Sequence, residues 1–318
     1  MQEPTIREIR EAADRVRPFI HRTPVLTCGA LDRMCGARLF FKCENFQKTG
    51  AFKIRGATNA VMSLDERTAA RGVATHSSGN HAAALALAAR WRGIQAYVVM
   101  PENAPEVKRR AVAGYGAEII SCKPTMEARE ATLAGLVDRT GATVVHPYND
   151  YAVIAGQGTA ALELCQEVPD LDTVLVPVGG GGLISGTALA LQGMSPGTRV
   201  IGAEPALADD AARSLRAGVI IPSAYPSTIA DGLRTSLGDL TFPILRRCAE
   251  RIVTVDEEEI VAATRLIWER MKTVVEPSAA VPLAALLSHG SGLTGGGQRI
   301  GIILSGGNVD LDHLPWVR

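Results

Sequence analysis

The run TVLVPVGGGGLISG, residues 173–186, reads as a buried strand, a glycine loop and the opening of a helix. Thr173 to Val178 is short, charge-free and rich in β-branched residues, the pattern of a strand covered on both faces. Four consecutive glycines, Gly179, Gly180, Gly181 and Gly182, let backbone N–H groups converge on one point, where the positive end of a helix dipole adds to them. A structural turn needs one or two glycines, so four in this context point to a phosphate cradle. The loop also stops the charge-free run 173–198 from reading as a membrane span.

Outward from that loop the strand–helix alternation repeats. Residues 72–77 (GVATHS) read as a strand turning through Ser78-Gly79-Asn80 into an alanine-rich helix, followed by strands at 95–100, 117–122 and 143–147 with helices near 107–115 and 126–139 between them. Four alternations in 71–150 imply a compact parallel sheet. A loop over 149–158 leads to a helix at 157–167, the strand at 173–178, and further strands at 199–204, 251–255 and 299–305. Upstream lie an amphipathic helix over 5–20 and strands at 22–27 and 37–44. The expected fold is α/β: two open, mostly parallel twisted sheets flanked by helices, with a cleft beyond the carboxyl ends of the strands. Residues 1–70 with 151–318 form a large domain, and 71–150 a small one.

Composition narrows the function. Among 318 residues, Lys plus Arg and Asp plus Glu both number 33, so nothing favours a polyanionic partner such as nucleic acid. Apolar residues at 47% and charged ones at 21% fit a soluble globular protein. The six cysteines show no paired spacing and read as reduced, buried residues of a cytoplasmic protein. The charged, helical N-terminus is not a signal peptide, and no membrane segment is expected.

Two nucleotide readings of the glycine loop fail. The sixth residue from Gly179 is Ile184 and from Gly180 is Ser185, so no Gly-x-Gly-x-x-Gly register exists, and no Gly-x-x-x-x-Gly-Lys-Ser/Thr occurs. What remains is a phosphorylated cofactor or substrate smaller than a dinucleotide. KTGAFKIRGA (48–57) supplies a lysine, Lys53, in the first turn of a helix and flanked by Phe52 and Ile54. Desolvation and the helix dipole both lower an amine's pKa there, and a neutral lysine attacks carbonyls. Ser77, Ser78, Asn80 and His81 gather at a helix start suited to a carboxylate, although Ser and Asn are also ordinary caps. Ser305-Gly-Gly-Asn308 ends a late apolar strand. Glu204, Asp209 and Asp210 surround Ala208, as either a hard-cation site or a solvated acidic loop. No zinc-protease, serine-elbow or paired-cysteine pattern is present.

A reactive lysine, a phosphate cradle and a carboxylate-binding helix start together describe a site for pyridoxal phosphate and an amino acid. In FKCENFQKTGAFKIRGA (41–57), HSSGNHAAALA (76–86), AGQGT (155–159), GGGGLISG (179–186), ADGLRTSLGDLTFP (230–243), VVEPSAA (274–280) and LSGGNVDL (304–311), the chain resembles the tryptophan-synthase-β-like (fold type II) pyridoxal-phosphate enzymes, and among them the serine/threonine dehydratase and serine racemase group. The resemblance implies that Lys53 forms the Schiff base in a cleft between the two domains, with Phe52 beside the ring and Gly179 to Gly182 and Leu183 on the phosphate. It places Asn80 at the 3-hydroxyl and Ser305 at the pyridine nitrogen. Ser77, Ser78, Asn80 and His81 take the substrate carboxylate. Glu204, the Ala208 carbonyl and Asp210 fall where relatives bind Mg²⁺ or a similar ion.

The implied activity is an ammonia-lyase reaction. A β-hydroxy amino acid such as L-serine, L-threonine or threo-3-hydroxyaspartate loses water and yields a 2-oxo acid and ammonia. Lys53 acts as the Cα base. Serine racemisation, with Ser78 returning a proton from the other face, is the alternative. Outside the enzymes, a cofactor-binding metabolite sensor is the competing reading. Arg129 and Arg234 lie in stretches that the resemblance places near the substrate, where a guanidinium would hold a second carboxylate. The chain stops at Arg318 with no C-terminal regulatory module, so inhibition by isoleucine is not expected, and a homodimer is the family's habit.

Overall fold

The computed structural model describes residues 2–223, 226–288 and 297–316. Its strands are β1 (Val25–Leu26), β2 (Arg38–Cys43), β3 (Val73–His76), β4 (Ala96–Pro101), β5 (Glu118–Cys122), β6 (Thr143–Val144), β7 (Thr173–Pro177), β8 (Arg199–Pro205), β9 (Arg251–Val255) and β10 (Arg299–Leu304). They form a six-stranded sheet, β1-β2-β10-β7-β8-β9, and a four-stranded sheet, β5-β4-β3-β6. Every pairing is parallel except β1 with β2.

Strand alternation sorts the large sheet into two buried faces. Leu39, Phe41, Leu175, Ile201, Ile300 and Ile302 pack with Val281, Leu283 and Ala284 of helix Pro277–Leu287. Phe40, Val174, Val176, Val200 and Ile303 face the other way, onto Leu164 of helix Tyr151–Glu167 and Leu183, Ile184 and Leu191 of helix Gly182–Met194. With both faces covered, the strands need to be apolar throughout, as read from their sequences. Helix Lys53–Met62 packs Ile54, Ala57 and Val61 against Val73 of β3 and Ala84, Leu85 and Ala88 of helix Asn80–Arg92. The lysine helix therefore leans on the four-stranded sheet, although β2, which leads into it, belongs to the other.

One expected loop is a helix. Residues 149–158 enter helix Tyr151–Glu167, capped by Asp150, whose carboxylate accepts the Ala152 and Val153 N–H groups at 2.7 and 3.4 Å. Gly156 and Gly158 are there for close approach. A Cβ on Gly156 would lie 2.6 Å from the Arg55 carbonyl, and one on Gly158 2.8 Å from that of Gly186. Helices Gly29–Cys35, Asp210–Ala217 and Thr241–Cys248 had no counterpart in the sequence reading. Among the described residues, no helix is long and apolar enough to cross a membrane.

Candidate active site

Parallel pairing sets the carboxyl ends of β2, β10, β7 and β8 side by side, and each opens into a loop singled out above. β2 leads to Lys53, β10 to Ser305, β7 to the glycines and β8 to Glu204. The loops are stitched together. The Phe52 N–H donates to the Ser305 carbonyl at 3.0 Å, the Gly307 N–H to that of Gly50 at 2.8 Å, and the Asn308 amide to that of Thr49 at 2.7 Å.

Lys53 opens its helix, and its Nζ donates to the Pro147 carbonyl at 2.8 Å. Burial lowers its pKa to about 8 against the opposing charge of Glu276, and the amine lies 5.1 Å from the centre of the Phe52 ring. Facing it, β3 ends in the loop of Ser77 and Ser78, and Asn80 starts the next helix. That helix begins on Gly79 without a side-chain cap, so its first N–H groups have no side-chain acceptor. The His81 imidazole reaches the backbone after β6. It is buried, bonds the Val145 carbonyl at 3.0 Å, and is held neutral by burial and by Lys53, at about 3. Its Nδ1 has no hydrogen-bond partner among the described residues.

The glycine loop is walled closely. A Cβ on Gly180 would overlap the Tyr148 ring, one on Gly182 would lie 2.9 Å from Tyr148 Cβ, and one on Gly179 3.0 Å from Leu233 Cα. Gly181 has φ of 88° and caps helix Gly182–Met194, again without a side-chain bond. This left-handed geometry favours glycine on conformational grounds. Ser305 is buried beside Ala51 and Gly306, which form an isolated bridge.

Glu204 and Asp210 come together in the fold. Glu204 is buried and accepts the Ala212 and Ala211 N–H groups at 2.7 and 3.2 Å. Asp210 accepts that of Leu237 at 3.3 Å. Burial, with Asp210 nearby, raises Glu204 to about 8, and burial raises Asp210 to about 6. Ala208 lies between them in a short turn, Ala206–Ala208. Among the described residues no group of three or more His, Cys, Asp and Glu is placed to hold a metal ion.

Arg129 sits half-buried on helix Met126–Thr140, its Nε without a hydrogen-bond partner among the described residues. Its charge acts on His76. Arg234 is committed elsewhere: its Nε donates to the Thr228 carbonyl at 2.8 Å, joined by Nη2.

Two features of the site were not anticipated. His146 stacks edge-on with Tyr148 at 4.5 Å and with His76 at 6.2 Å, and burial and His76 hold it neutral, at about 4. The signal available in the sequence was a histidine at the end of two different strand segments, HSSGN and VVHPY. The other feature is Glu276, buried behind Asn80. In the sequence it stands only within VVEPSAA (274–280).

Comparison with known proteins assigns the family. The sequence pattern of the family described as "Pyridoxal-phosphate dependent enzyme" matches residues 16–306. The chain is 52% identical over 316 residues to the beta-hydroxyaspartate dehydratase of Paracoccus denitrificans, covering 99% of this chain and 100% of that one. It is also 52% identical over 312 residues to the serine racemase of Arabidopsis thaliana, with 97% and 94% covered. The structure of maize serine racemase superposes with a TM-score of 0.96 at 50% identity, over 98% of this chain and 95% of that one. The glycine cradle, the half-buried lysine and the uncapped helix start thus sit in a chain that belongs to the pyridoxal-phosphate dependent enzymes.

Proposed function

We propose that this enzyme removes water from a β-hydroxy amino acid and releases a 2-oxo acid and ammonia. The observation carrying the reading is Lys53, an amine lowered to about 8 by burial and set among the loops that end β2, β10 and β7. The residues present fit pyridoxal phosphate. Gly181 and Gly182 open a helix whose N–H groups lack a side-chain cap, leaving them for a phosphate. Lys53 would hold the aldehyde, Phe52 the ring, Asn80 the 3-hydroxyl, Ser305 the pyridine nitrogen, and Gly179 to Leu183 the phosphate. When bound, the cofactor supplies an electrophilic carbonyl and a sink for electrons released at Cα.

The chain's own groups do the rest. Ser77, Ser78, Asn80 and the His81 N–H, at an uncapped helix start, orient the α-carboxylate. Lys53, neutral above about pH 8, takes the Cα proton. Ser305 is a neutral partner for a ring nitrogen and does not hold it protonated, which favours expulsion of a β-leaving group over a long-lived carbanion. Among L-serine, L-threonine and threo-3-hydroxyaspartate, the unpartnered Nε of Arg129 supports the dicarboxylate, as does the name of the Paracoccus relative. Serine racemisation, with Ser78 as the second proton carrier, remains the second reading because the Arabidopsis and maize relatives are racemases.

The test is a kcat/KM panel over these substrates, scored for 2-oxo acid and for D-enantiomer. Arg129→Met should lower the value for threo-3-hydroxyaspartate roughly 10- to 100-fold, the range of a charged hydrogen bond, and leave L-serine unchanged. Equal loss on both removes the dicarboxylate reading. No turnover of any of them favours a cofactor-binding sensor.

The same reading includes a divalent cation, Mg²⁺ or similar, held by Glu204, Asp210 and the Ala208 carbonyl. Two buried carboxylates, both pushed up by burial and Glu204 also by Asp210, fit a cation that would restore both charges. We further propose the large and small domains as 1–70 with 151–318 and 71–150, a homodimer, and a cytoplasmic location.

A further inference from the structure

Glu276 is 4% exposed and has no part in the reaction described above. Its two carboxylate oxygens each accept from Asn80 Nδ2 at 3.1 Å. The Asn80 Oδ1 accepts from Asn308 Nδ2 at 2.9 Å, and Asn308 Nδ2 also donates to the Thr49 carbonyl at 2.7 Å. The carboxylate is wedged in place. The Glu276 N–H donates to the Gly306 carbonyl at 3.0 Å, and a Cβ on Gly306 would approach Glu276 Oε1 to 2.6 Å.

An amide and a carboxylate can meet in one sense only. A carboxylate accepts and never donates, so Asn80 has to present Nδ2 to it and Oδ1 to Asn308. We infer that Glu276 is a positioning residue: it fixes the hydrogen-bond polarity of Asn80, so that the remaining Nδ2 hydrogen is a donor for the 3-oxygen of pyridoxal phosphate. This rests on the assignment of Asn80 to that oxygen.

The groups acting on Glu276 come from several elements. Burial raises it to about 7, Asn80 lowers it from helix Asn80–Arg92, Asp231 raises it from the turn Asp231–Leu233, Lys108 lowers it from helix Glu106–Gly114, and the Asn308 backbone lowers it from the loop after β10. Lys53 in turn faces His81 and His146 as well as Glu276, both histidines being neutral at physiological pH. Glu276 thus provides the negative charge that favours a protonated Lys53.

The experiment compares the affinity of the cofactor-free full chain for pyridoxal phosphate and for its 3-deoxy analogue, in wild type, Glu276→Gln, Asn80→Ala and the double variant. Inorganic phosphate binding serves as the control. Glutamine is nearly isosteric but can donate as well as accept, so it no longer dictates the amide's sense. Glu276→Gln should reduce discrimination against the 3-deoxy analogue by about tenfold, the scale of one charge-assisted hydrogen bond, while phosphate binding holds. In the Asn80→Ala background it should add nothing.

Equal weakening of all three ligands would show a merely structural residue and overturn the inference. So would unchanged discrimination in Glu276→Gln where Asn80→Ala loses it, a result that leaves the Asn80 assignment standing. If Asn80→Ala itself keeps full discrimination, both fall. Should the glutamine variant not fold, wild type decides, since its discrimination has to decline as pH falls through about 7, where Glu276 takes up a proton.

Discussion

Lys53 feels two opposing influences: burial, which strips water from the amine, and Glu276, which favours its charge, with burial prevailing. A base has to be neutral to act, so kcat/KM should rise with pH through about 8 and then level off. A pH profile that is flat between 6 and 9 would detach the chemistry from this lysine. The lysine was legible in the sequence because Phe52 and Ile54 flank it and a helix follows, all local facts. Glu276 was not, because its meaning comes from Asn80, 196 positions away in the chain. His81 shows the converse. Its place beside Asn80 suggested a substrate contact, and only the fold reveals an imidazole turned onto Val145.

The glycine loop could be read from sequence because each residue does something an alanine cannot. Gly181 lies at φ of 88°, where an L-residue loses about 1–2 kcal/mol. Gly181→Ala should lower stability by about that much in a urea titration, or more given that its Cβ would lie 2.8 Å from Thr241 Oγ1. Gly180→Ala drives a methyl into the Tyr148 ring. The expected result is at least tenfold weaker pyridoxal phosphate binding by equilibrium titration, with a smaller effect on melting temperature. Unaltered binding would mean that the loop does not hold the phosphate. The first turns of helix Tyr151–Glu167 were hidden for the same chemical reason that the loop was visible. Gly156 and Gly158 serve close packing there, and sequence alone does not distinguish a glycine that turns the chain from one that lets a neighbour in.

Across the molecule, the lysine helix is fastened by a buried ionic network. Arg55 is fully buried and forks onto Glu44 at 2.7 and 2.8 Å and onto Glu163 at 2.9 and 2.8 Å, while Lys42 reaches Glu163 at 2.6 Å. It ties the end of β2, helix Lys53–Met62 and helix Tyr151–Glu167 together beneath the site. Arg55→Met leaves two carboxylates without their main partner, so a loss of about 3–5 kcal/mol is expected by chemical denaturation. A loss below about 1 kcal/mol would mean that the network contributes little. Glu204 sets a second expectation. Its pKa in the fold, about 8, lies above the ordinary carboxylate value of 4.5, so the folded state binds the extra proton. Its stability contribution is present below pH 4.5 and is lost as pH rises through about 8. Melting temperature in chelator should therefore decline across that window, and millimolar Mg²⁺ should restore it at the alkaline end. The parallel sheets that bring these groups together were legible from strand–helix alternation, whereas strand order was not, since β10 lies between β2 and β7 through contacts between distant segments.

The most direct test of the account is to reduce the purified, pyridoxal-phosphate-loaded protein with borohydride and locate the modified residue by peptide mass. The expected result is one phosphopyridoxyl group per chain, on Lys53, with the visible colour of the loaded protein absent in Lys53→Ala. A label on another lysine, or colour that survives in Lys53→Ala, would contradict it.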